Sequence, residues 1–544
     1  MKIKNEIQLF FQDIKDIFAG LYKYIQKHFS IAYFIVAIIH FIITFYTDPL
    51  IFEYLGTDVK KFLLIKRTFL IIIILLWQFI GILIKNYSKS ETIRDLIKFS
   101  GIYFLIMLTV HILLWPFIVG NQMYYAYFAN SVYFSDMSCF QGIFIRYFRI
   151  YALMLIPNLG GIIIIQILTI SLILGYIMTM FKSYFKLDKS IYIFYIPFLV
   201  PLVMQYNLYM EKDILYSYFF MLLFAKLIFI RLKLQTLSMN VNIINIALIS
   251  SVAVSLRSEG ILLLIATPMM LYLLNYKVLK PHNMLIFLFF SIIFSFVFIP
   301  HYVKTVILDK EGTAYKNVYI LNDTFKELLK KAVEDKNEYI LHEFDNTDNF
   351  KITHILNSSI DNVGFYFSLS NSDRKTFKVV SGKLMKTYFW EFVKFKFKVF
   401  YNKLESEILT ANIHDIKYCT DFSVRNYNAI KDKIVYLNPQ LYSATIQLLK
   451  KYNLETFKNY LSVWFVFLYF LVLVGAIFFK LKRIFILICF LLIFSGIQIL
   501  IVPYQHLRFF FQGYITVYLI GFYILFYLIG KTQSKFKNRF YIFK

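Results

Sequence analysis

The chain alternates between long apolar runs and short polar connections. Runs of about 20 residues with almost no charge have the length of a bilayer-crossing helix, and many end in Lys or Arg. Backbone N–H and C=O groups in lipid must bond within their own segment, so the runs are predicted to be helices. They give twelve spans: 31–46, 68–84, 100–119, 160–181, 191–210, 214–230, 240–256, 261–276, 284–300, 461–479, 484–502 and 513–530.

The cations in the short connections predict the orientation of these spans. With the N-terminus inside, Lys and Arg are concentrated in the inner connections and are sparse in the short outer ones. The inner set includes Lys85, Lys89, Arg94, Lys98, Lys182, Lys186, Lys189, Lys277, Lys280, Lys480, Lys482 and Arg483. Both termini are therefore predicted to lie in the cytoplasm.

Three segments lie outside the spans. Residues 1–30 have one-sided helical spacing of apolar positions, which indicates either an amphipathic helix on the membrane surface or a charged leader that sets topology. Residues 301–460 lack a spanning run and predict a large, mostly helical outer-face domain. It separates a nine-span membrane domain, 31–300, from three last spans within 461–530. Residues 531–544 form a basic cytoplasmic tail.

Composition agrees with a membrane protein. The chain is 59% hydrophobic and 20% aromatic, above the apolar content of ordinary globular domains. Its net charge of +26 comes mainly from cations at span ends, which are typical lipid-headgroup anchors, so no nucleic acid partner is predicted. No metal site or cofactor is predicted, although a divalent metal stays open. The pairing of Cys139 with Cys419 also stays open.

The most polar stretch between spans is the outer loop 120–159. It carries one acid, Asp136, followed by Arg146 and Arg149. A carboxylate beside cations at a membrane surface can deprotonate a hydroxyl close to a phosphate. Asp136 is therefore the candidate general base. Arg146 and Arg149, three residues apart, either bind a phosphate or snorkel from one interfacial helix face.

Further charges fall at predicted outer ends of spans. The cations Lys212, Arg257 and Arg508 are candidates for binding a donor phosphate, and the acids Asp48, Asp213 and Glu259 are secondary acidic candidates. Simpler alternatives stay open for several of them. Lys212 and Arg257 would serve equally well as helix ends, Asp213 as an N-cap, and Asp48 before Pro49 as the start of a turn.

Four segments together resemble the GT-C superfamily of membrane glycosyltransferases, and most closely bacterial members related to protein O-mannosyltransferases and the lipid A aminoarabinose transferase. They are SDMSCFQ around Asp136, the stretch 157–161 leading into an apolar span, EKDILYS at 211–217 and LRSEG at 256–260. The resemblance covers roughly residues 110–265. In this family the acid usually follows the first span, whereas Asp136 follows the third, which leaves Asp48 as another equivalent.

The resemblance implies a GT-C-like fold in a bacterial cytoplasmic membrane. It also implies a polyprenyl-phosphate-linked sugar as donor and an outer-face acceptor that is a glycan, a lipid or a protein. Asp136 would then be the base and the basic residues would hold the lipid phosphate. Two alternatives stay open: a polymerase or ligase of lipid-linked glycans, and a flippase or other transporter of lipid-linked oligosaccharides.

Overall fold

The computed structural model of the protein describes most of the predicted membrane domain and part of the stretch 301–460. The described residues are 2–52, 59–113, 143–157, 159–208, 212–232, 239–257, 262–275, 279–298, 324–344, 371–403, 461–501 and 507–542, with the single positions 260, 352, 356, 440, 444 and 447. Every element within them is a helix.

The helices follow one another in this order: α1 Lys2–His28, α2 Ile31–Phe52, α3 Val59–Tyr87, α4 Glu91–Leu113, α5 Ile143–Leu155, α6 Leu159–Phe185, a 3₁₀ helix Lys189–Phe198, α7 Pro201–Leu208, α8 Lys212–Arg231, α9 Met239–Leu256, α10 Leu262–Asn275 and α11 Pro281–Phe298. Then come α12 Phe325–Glu334, α13 Glu338–Leu341, a 3₁₀ turn His342–Phe344, α14 Asn371–Thr387, α15 Phe389–Lys403, α16 Leu461–Phe478, α17 Lys482–Ile501 and α18 Leu507–Ile542.

Within the described residues, eight helices are long and apolar enough to cross a membrane: Ile31–Asp48, Phe62–Tyr87, Glu91–Leu113, Gly160–Phe185, Lys212–Ile230, Met239–Leu256, Lys482–Leu500 and Phe510–Gly530. Three apolar helices are shorter: Leu262–Leu274, Pro281–Ser295 and Val466–Phe478. The predicted class, a helical membrane protein, is confirmed. A count of twelve spans also requires the shorter helices and one bent pair to cross, and it stays a prediction.

The fifth predicted span, 191–210, is not one straight helix. The 3₁₀ helix Lys189–Phe198 and α7 meet at an angle of 70°. The hydrophobic run is continuous there, but it contains Pro197 and Pro201. Proline has no N–H to donate and its ring clashes with the preceding turn, so the two prolines explain why a straight helix does not form.

Helix α8 lies at the centre of the bundle. Of its membrane-crossing window 83% is buried, compared with 17% for the windows of α2 and α3, which lie at the periphery. Aromatic rings join α8 to three neighbours: Phe229 lies 5.6 Å from Phe181 of α6, Phe220 lies 5.0 Å from Phe494 of α17, and Tyr218 lies 6.2 Å from Phe511 of α18. Because α8 is enclosed, residues at its two ends are held by several helices.

The helices α4 and α6 approach each other closely at a glycine. A Cβ added to Gly175 would lie 2.8 Å from the backbone nitrogen of Ser100 and would collide with its hydroxyl. Small residues allow such close approach of membrane helices, which then associate through van der Waals contact. At the end of the same pair, Lys182 of α6 contacts Asp95 of α4 at 2.5 Å.

The N-terminal helix α1 packs on the bundle through α11. His282 lies 3.4 Å from a carboxylate oxygen of Glu6 and 3.3 Å from one of Asp13, and Phe10 packs edge-on against Phe289. The polar contacts lie at the start of α11. Helix α1 is therefore in contact with the rest of the protein along part of its length.

The described part of 301–460 forms a second apolar cluster. It includes a stacked pair, Phe325 of α12 and Phe377 of α14, with ring centroids 4.6 Å apart. Helix α15 joins this cluster to the membrane bundle, because Phe400 packs at 5.0 Å against Phe510 at the start of α18. These helices therefore lie at the end of the bundle where α18 begins.

We expect Gly175→Leu to destabilise the protein by about 1–3 kcal/mol, because the new side chain overpacks the α4–α6 contact. Thermal unfolding of the purified protein in detergent measures the effect. Gly101→Leu is the matched control, since no heavy atom lies within 4 Å of a Cβ at that position on α4. An equal loss of stability in both variants would contradict the close contact.

Candidate functional site

A buried ion pair lies at the end of the bundle where α8 begins. The Nε atom of Arg257 lies 3.3 Å from Oδ1 of Asp213, and both residues are only 4% exposed. The guanidinium also lies 5.6 Å from the ring of Tyr216. This end therefore holds a cation whose position is set by a carboxylate and an aromatic ring.

Local sequence explains how the two partners meet. Asp213 is the second residue of α8, where a carboxylate is favoured by the helix dipole. It lies inside the first turn rather than at the N-cap position considered above. Arg257 directly follows α9, and the N–H of Gly260 donates to its carbonyl oxygen. A Cβ at Gly260 would lie 2.9 Å from the Cα of Val254, so this tight turn requires glycine.

Arg149 is a second arginine that is buried in the bundle. It lies on α5 and is 4% exposed. Helix α5 packs against the first half of α8, where Phe144 meets Phe219 edge-on with ring centroids 5.8 Å apart. Two arginines from distant parts of the sequence are thus buried, one on a helix that packs against α9 and one directly after α9.

A polar network continues from this end into the bundle interior. The side chain of Gln166 donates to the carbonyl oxygen of Asn207 at 3.0 Å, and Asn207 donates to the hydroxyl of Tyr103 at 2.8 Å. Tyr103 in turn donates to the carbonyl oxygen of Phe198, the last residue before the 70° bend. The network therefore provides hydrogen bonds to the carbonyl groups of Phe198 and Asn207 in the broken helix pair, as backbone in lipid requires.

Two further amides meet nearby. Gln512 of α18 donates to Gln498 of α17, and both are fully buried. Phe511, beside Gln512, stacks on Tyr206 of α7 at 5.2 Å. Sequence reasoning missed these groups and the network. Their signal is the presence of single Gln and Asn residues inside apolar runs, where an amide needs a partner.

The expectation that Asp48 starts a turn is wrong. Asp48 lies within α2, which continues through Pro49 to Phe52, and its carboxylate contacts Nζ of Lys66 at 2.7 Å. Lys66 also donates to the hydroxyl of Thr44 and lies 4.3 Å from the ring of Phe45. Lys66 precedes the second predicted span, 68–84, but it is buried between α2 and α3.

For the other predicted site residues the structure gives less detail. Lys212 is half-buried at the first position of α8. Arg146 lies on α5, one turn before Arg149, and Arg508 is the second residue of α18; only their backbone is described. Asp136 and Glu259 lie outside the described residues, as do Cys139 and Cys419. Among the described residues, no three His, Cys, Asp or Glu side chains form a group suited to a metal.

The long apolar helices and the buried polar contacts between them define a helical membrane protein with several candidate spans. Comparison of the chain with known protein families, with curated proteins and with solved structures gives no match. Function must therefore be inferred from the residues themselves.

We expect Asp213→Asn and Arg257→Gln each to lower the free energy of unfolding by about 3–5 kcal/mol, because each leaves a buried charge without this counter-ion. The double variant should lose less than the sum of the two. Thermal unfolding in detergent measures all three. Asp335→Asn, in the exposed pair with Lys331, is the control and should unfold close to wild type. If the loss of stability in the double variant equals the sum of the two single losses, Asp213 and Arg257 do not stabilise each other.

Proposed function

We propose that the protein is a membrane glycosyltransferase of GT-C type. It transfers a sugar from a polyprenyl-phosphate-linked donor to an acceptor on the outer face of the membrane, which is a glycan, a lipid or a protein of the cell envelope. Asp136 acts as the general base. Arg257 and Lys212, with Arg146, Arg149 and Arg508, bind the donor phosphate.

One observation carries this proposal: basic residues from separate parts of the sequence gather at one end of the bundle. Arg149, Lys212 and Arg257 belong to α5, α8 and the end of α9; α9 packs against both α5 and α8, and α5 meets α8 through Phe144 and Phe219. Fixed positive charge in a site with little water stabilises a departing phosphate far better than mobile charge in water. The Asp213 carboxylate supports this role by holding the Arg257 guanidinium in place.

The ion pairs also favour Asp136 over two of the secondary acids. Asp213 is buried against Arg257 and Asp48 is buried against Lys66. A carboxylate that accepts a proton from a substrate would have to give up such a pair and leave a buried cation behind, which is costly. Asp48 and Asp213 therefore suit structural roles, and the general base is better sought in the 120–159 loop.

The proposed reaction is a single inverting displacement. Asp136 takes the proton of the acceptor hydroxyl as its oxygen bonds to the anomeric carbon of the sugar. The bond from that carbon to the phosphate oxygen breaks, and the electron pair leaves with the polyprenyl phosphate. The arginines stabilise the negative charge that develops on this phosphate, and apolar spans hold the prenyl tail.

The proposed topology places both termini in the cytoplasm, with twelve spans in a bacterial cytoplasmic membrane. It counts the bent pair and the three shorter apolar helices as crossings. Support comes from the helix ends that meet: Lys182 at the end of α6 contacts Asp95 at the start of α4. Both belong to connections that are rich in Lys and Arg, which favour the cytoplasmic side.

We expect Asp136→Asn to abolish sugar transfer while the protein still folds, because an amide cannot accept the acceptor's proton. Purified protein in liposomes is offered a panel of radiolabelled polyprenyl-phosphate sugars with candidate acceptors, and label lost from the lipid is counted. Asp335→Asn, which removes an exposed carboxylate in 301–460, is the matched control and should keep wild-type transfer.

Other outcomes separate the alternatives. Unchanged transfer by Asp136→Asn would remove Asp136 from the mechanism and turn attention to Glu259. Transfer from lipid pyrophosphates but not from monophosphates would identify a polymerase or ligase of lipid-linked glycans instead.

A second candidate function, transport of a lipid-linked saccharide, is favoured by one observation. Broken helices whose backbone is served by polar side chains often form transporter binding sites. Here the 70° bend after Phe198 lies beside Tyr103 and Asn207.

The transport function predicts that labelled donor crosses the bilayer of the same liposomes without losing its sugar. Asn207→Leu should then stop this movement, because it removes the amide bonded to Tyr103. Loss of label from the lipid, with no movement of intact donor, would reject transport.

A further inference from the structure

A cavity of about 680 Å³ opens at the end of the bundle opposite the Asp213–Arg257 pair. It lies between the last turns of α8 and α10 and the turn that joins α16 to α17. Its volume is in the range of sites that bind small molecules and lipids, about 300–1,000 Å³.

The lining of this cavity changes from basic to apolar over a short distance. Lys480, Lys482 and Arg483 line it on the side of the turn, and Leu232 and Leu274 belong to its apolar wall. Lys480 and Lys482 are exposed, Arg483 is half-buried and the next residue, Ile484, is buried. None of the described residues that line it is acidic. The cavity is therefore basic at its mouth and apolar within.

The backbone of the turn fixes the position of Lys480. Its φ is 56°, in the left-handed region, and its N–H donates to the carbonyl oxygen of Ile477. The N–H of Leu481 donates to the carbonyl oxygen of Ala476. Glycine is the usual residue at this position after a helix. Here a lysine occupies this position. With Lys482 and Arg483 it places three cations within four consecutive residues at the cavity.

We propose that this cavity binds an anionic phospholipid of the cytoplasmic leaflet. The lipid phosphate contacts Lys480, Lys482 and Arg483, and an acyl chain lies against Leu232 and Leu274. Basic pockets between membrane helices on the cytoplasmic side recognise anionic headgroups, and apolar walls suit an acyl chain rather than a free anion. This site goes beyond the proposed transfer reaction and lies at the other end of the bundle.

The test measures binding of phosphatidylglycerol to the full-length protein in neutral detergent micelles by native mass spectrometry. Lys482→Gln with Arg483→Gln should weaken binding about 25-fold, since each cation near a lipid headgroup contributes about fivefold. Lys85→Gln with Lys89→Gln is the matched control. It removes two exposed cations outside the cavity, one in the last turn of α3 and one in the α3–α4 connection, and should leave affinity close to wild type.

Two further arms distinguish a lipid from a soluble phosphate. Leu232→Trp fills part of the apolar wall without changing charge, and it should weaken phosphatidylglycerol binding. Inorganic phosphate should not displace the lipid. If inorganic phosphate competes and Leu232→Trp has no effect, the site binds a soluble anion and the lipid proposal is overturned.

Equal weakening by both double variants would also overturn the proposal, because it would indicate general attraction of anionic lipid to a basic surface. No weakening by Lys482→Gln with Arg483→Gln would overturn it directly. Binding is measured without any sugar donor, so failure of this proposal and failure of the transferase proposal are separate results. Thermal unfolding of each variant shows that it is folded.

Discussion

A charge enclosed among membrane helices must have a partner, because its desolvation alone costs several kcal/mol. Two contacts in this protein satisfy that requirement between neighbouring helices. Asp213 and Arg257 join the start of α8 to the end of α9, and Asp48 and Lys66 join α2 to α3. In each pair the two residues lie at neighbouring ends of their helices. The ion pair therefore fixes how far one helix is shifted along the other, as well as holding them in contact. Apolar packing alone, which is non-directional, would not set that shift.

Hydropathy was sufficient to predict the helical membrane class, because an apolar run in lipid has few structural options. It was not sufficient for Lys66 and Asp48. A lysine near a span boundary and an aspartate before a proline each look locally like connection residues. Their burial depends on one another across 18 positions of sequence, and no local pattern contains that information. The bend at Pro197 and Pro201 was visible in the residues but was hidden by the continuous apolar run.

In the candidate site, too, some features could be predicted from the sequence and others could not. The cations at these span ends could be proposed from sequence, because charges in short hairpins must lie near the membrane surface. Their partners could not, since the Arg257–Asp213 contact and the stacking on Tyr216 arise from how α8 and α9 pack. The hydrogen bonds among Gln166, Asn207 and Tyr103 likewise unite three separate helices. The role of Asp136 rests on sequence and resemblance, and it stays a prediction.

The two ends of the bundle differ in whether their cations are paired with acids, and helix α18 extends between them. At the end where α8 begins, Arg257 is buried against an acid, whereas the cavity at the opposite end presents cations, with no acid among the described residues that line it. Helix α18 extends between the two regions: Phe511 packs against Tyr218 in the first half of α8, and Tyr523 lines the cavity. Its apolar window Phe510–Gly530 has 21 residues, and a helix rises 1.5 Å per residue, so it matches a hydrocarbon core of about 30 Å. In the proposed orientation, an anionic headgroup held in the cavity would therefore set the depth of the other end of the bundle, and would keep Arg257 near the level of lipid phosphates in the outer leaflet.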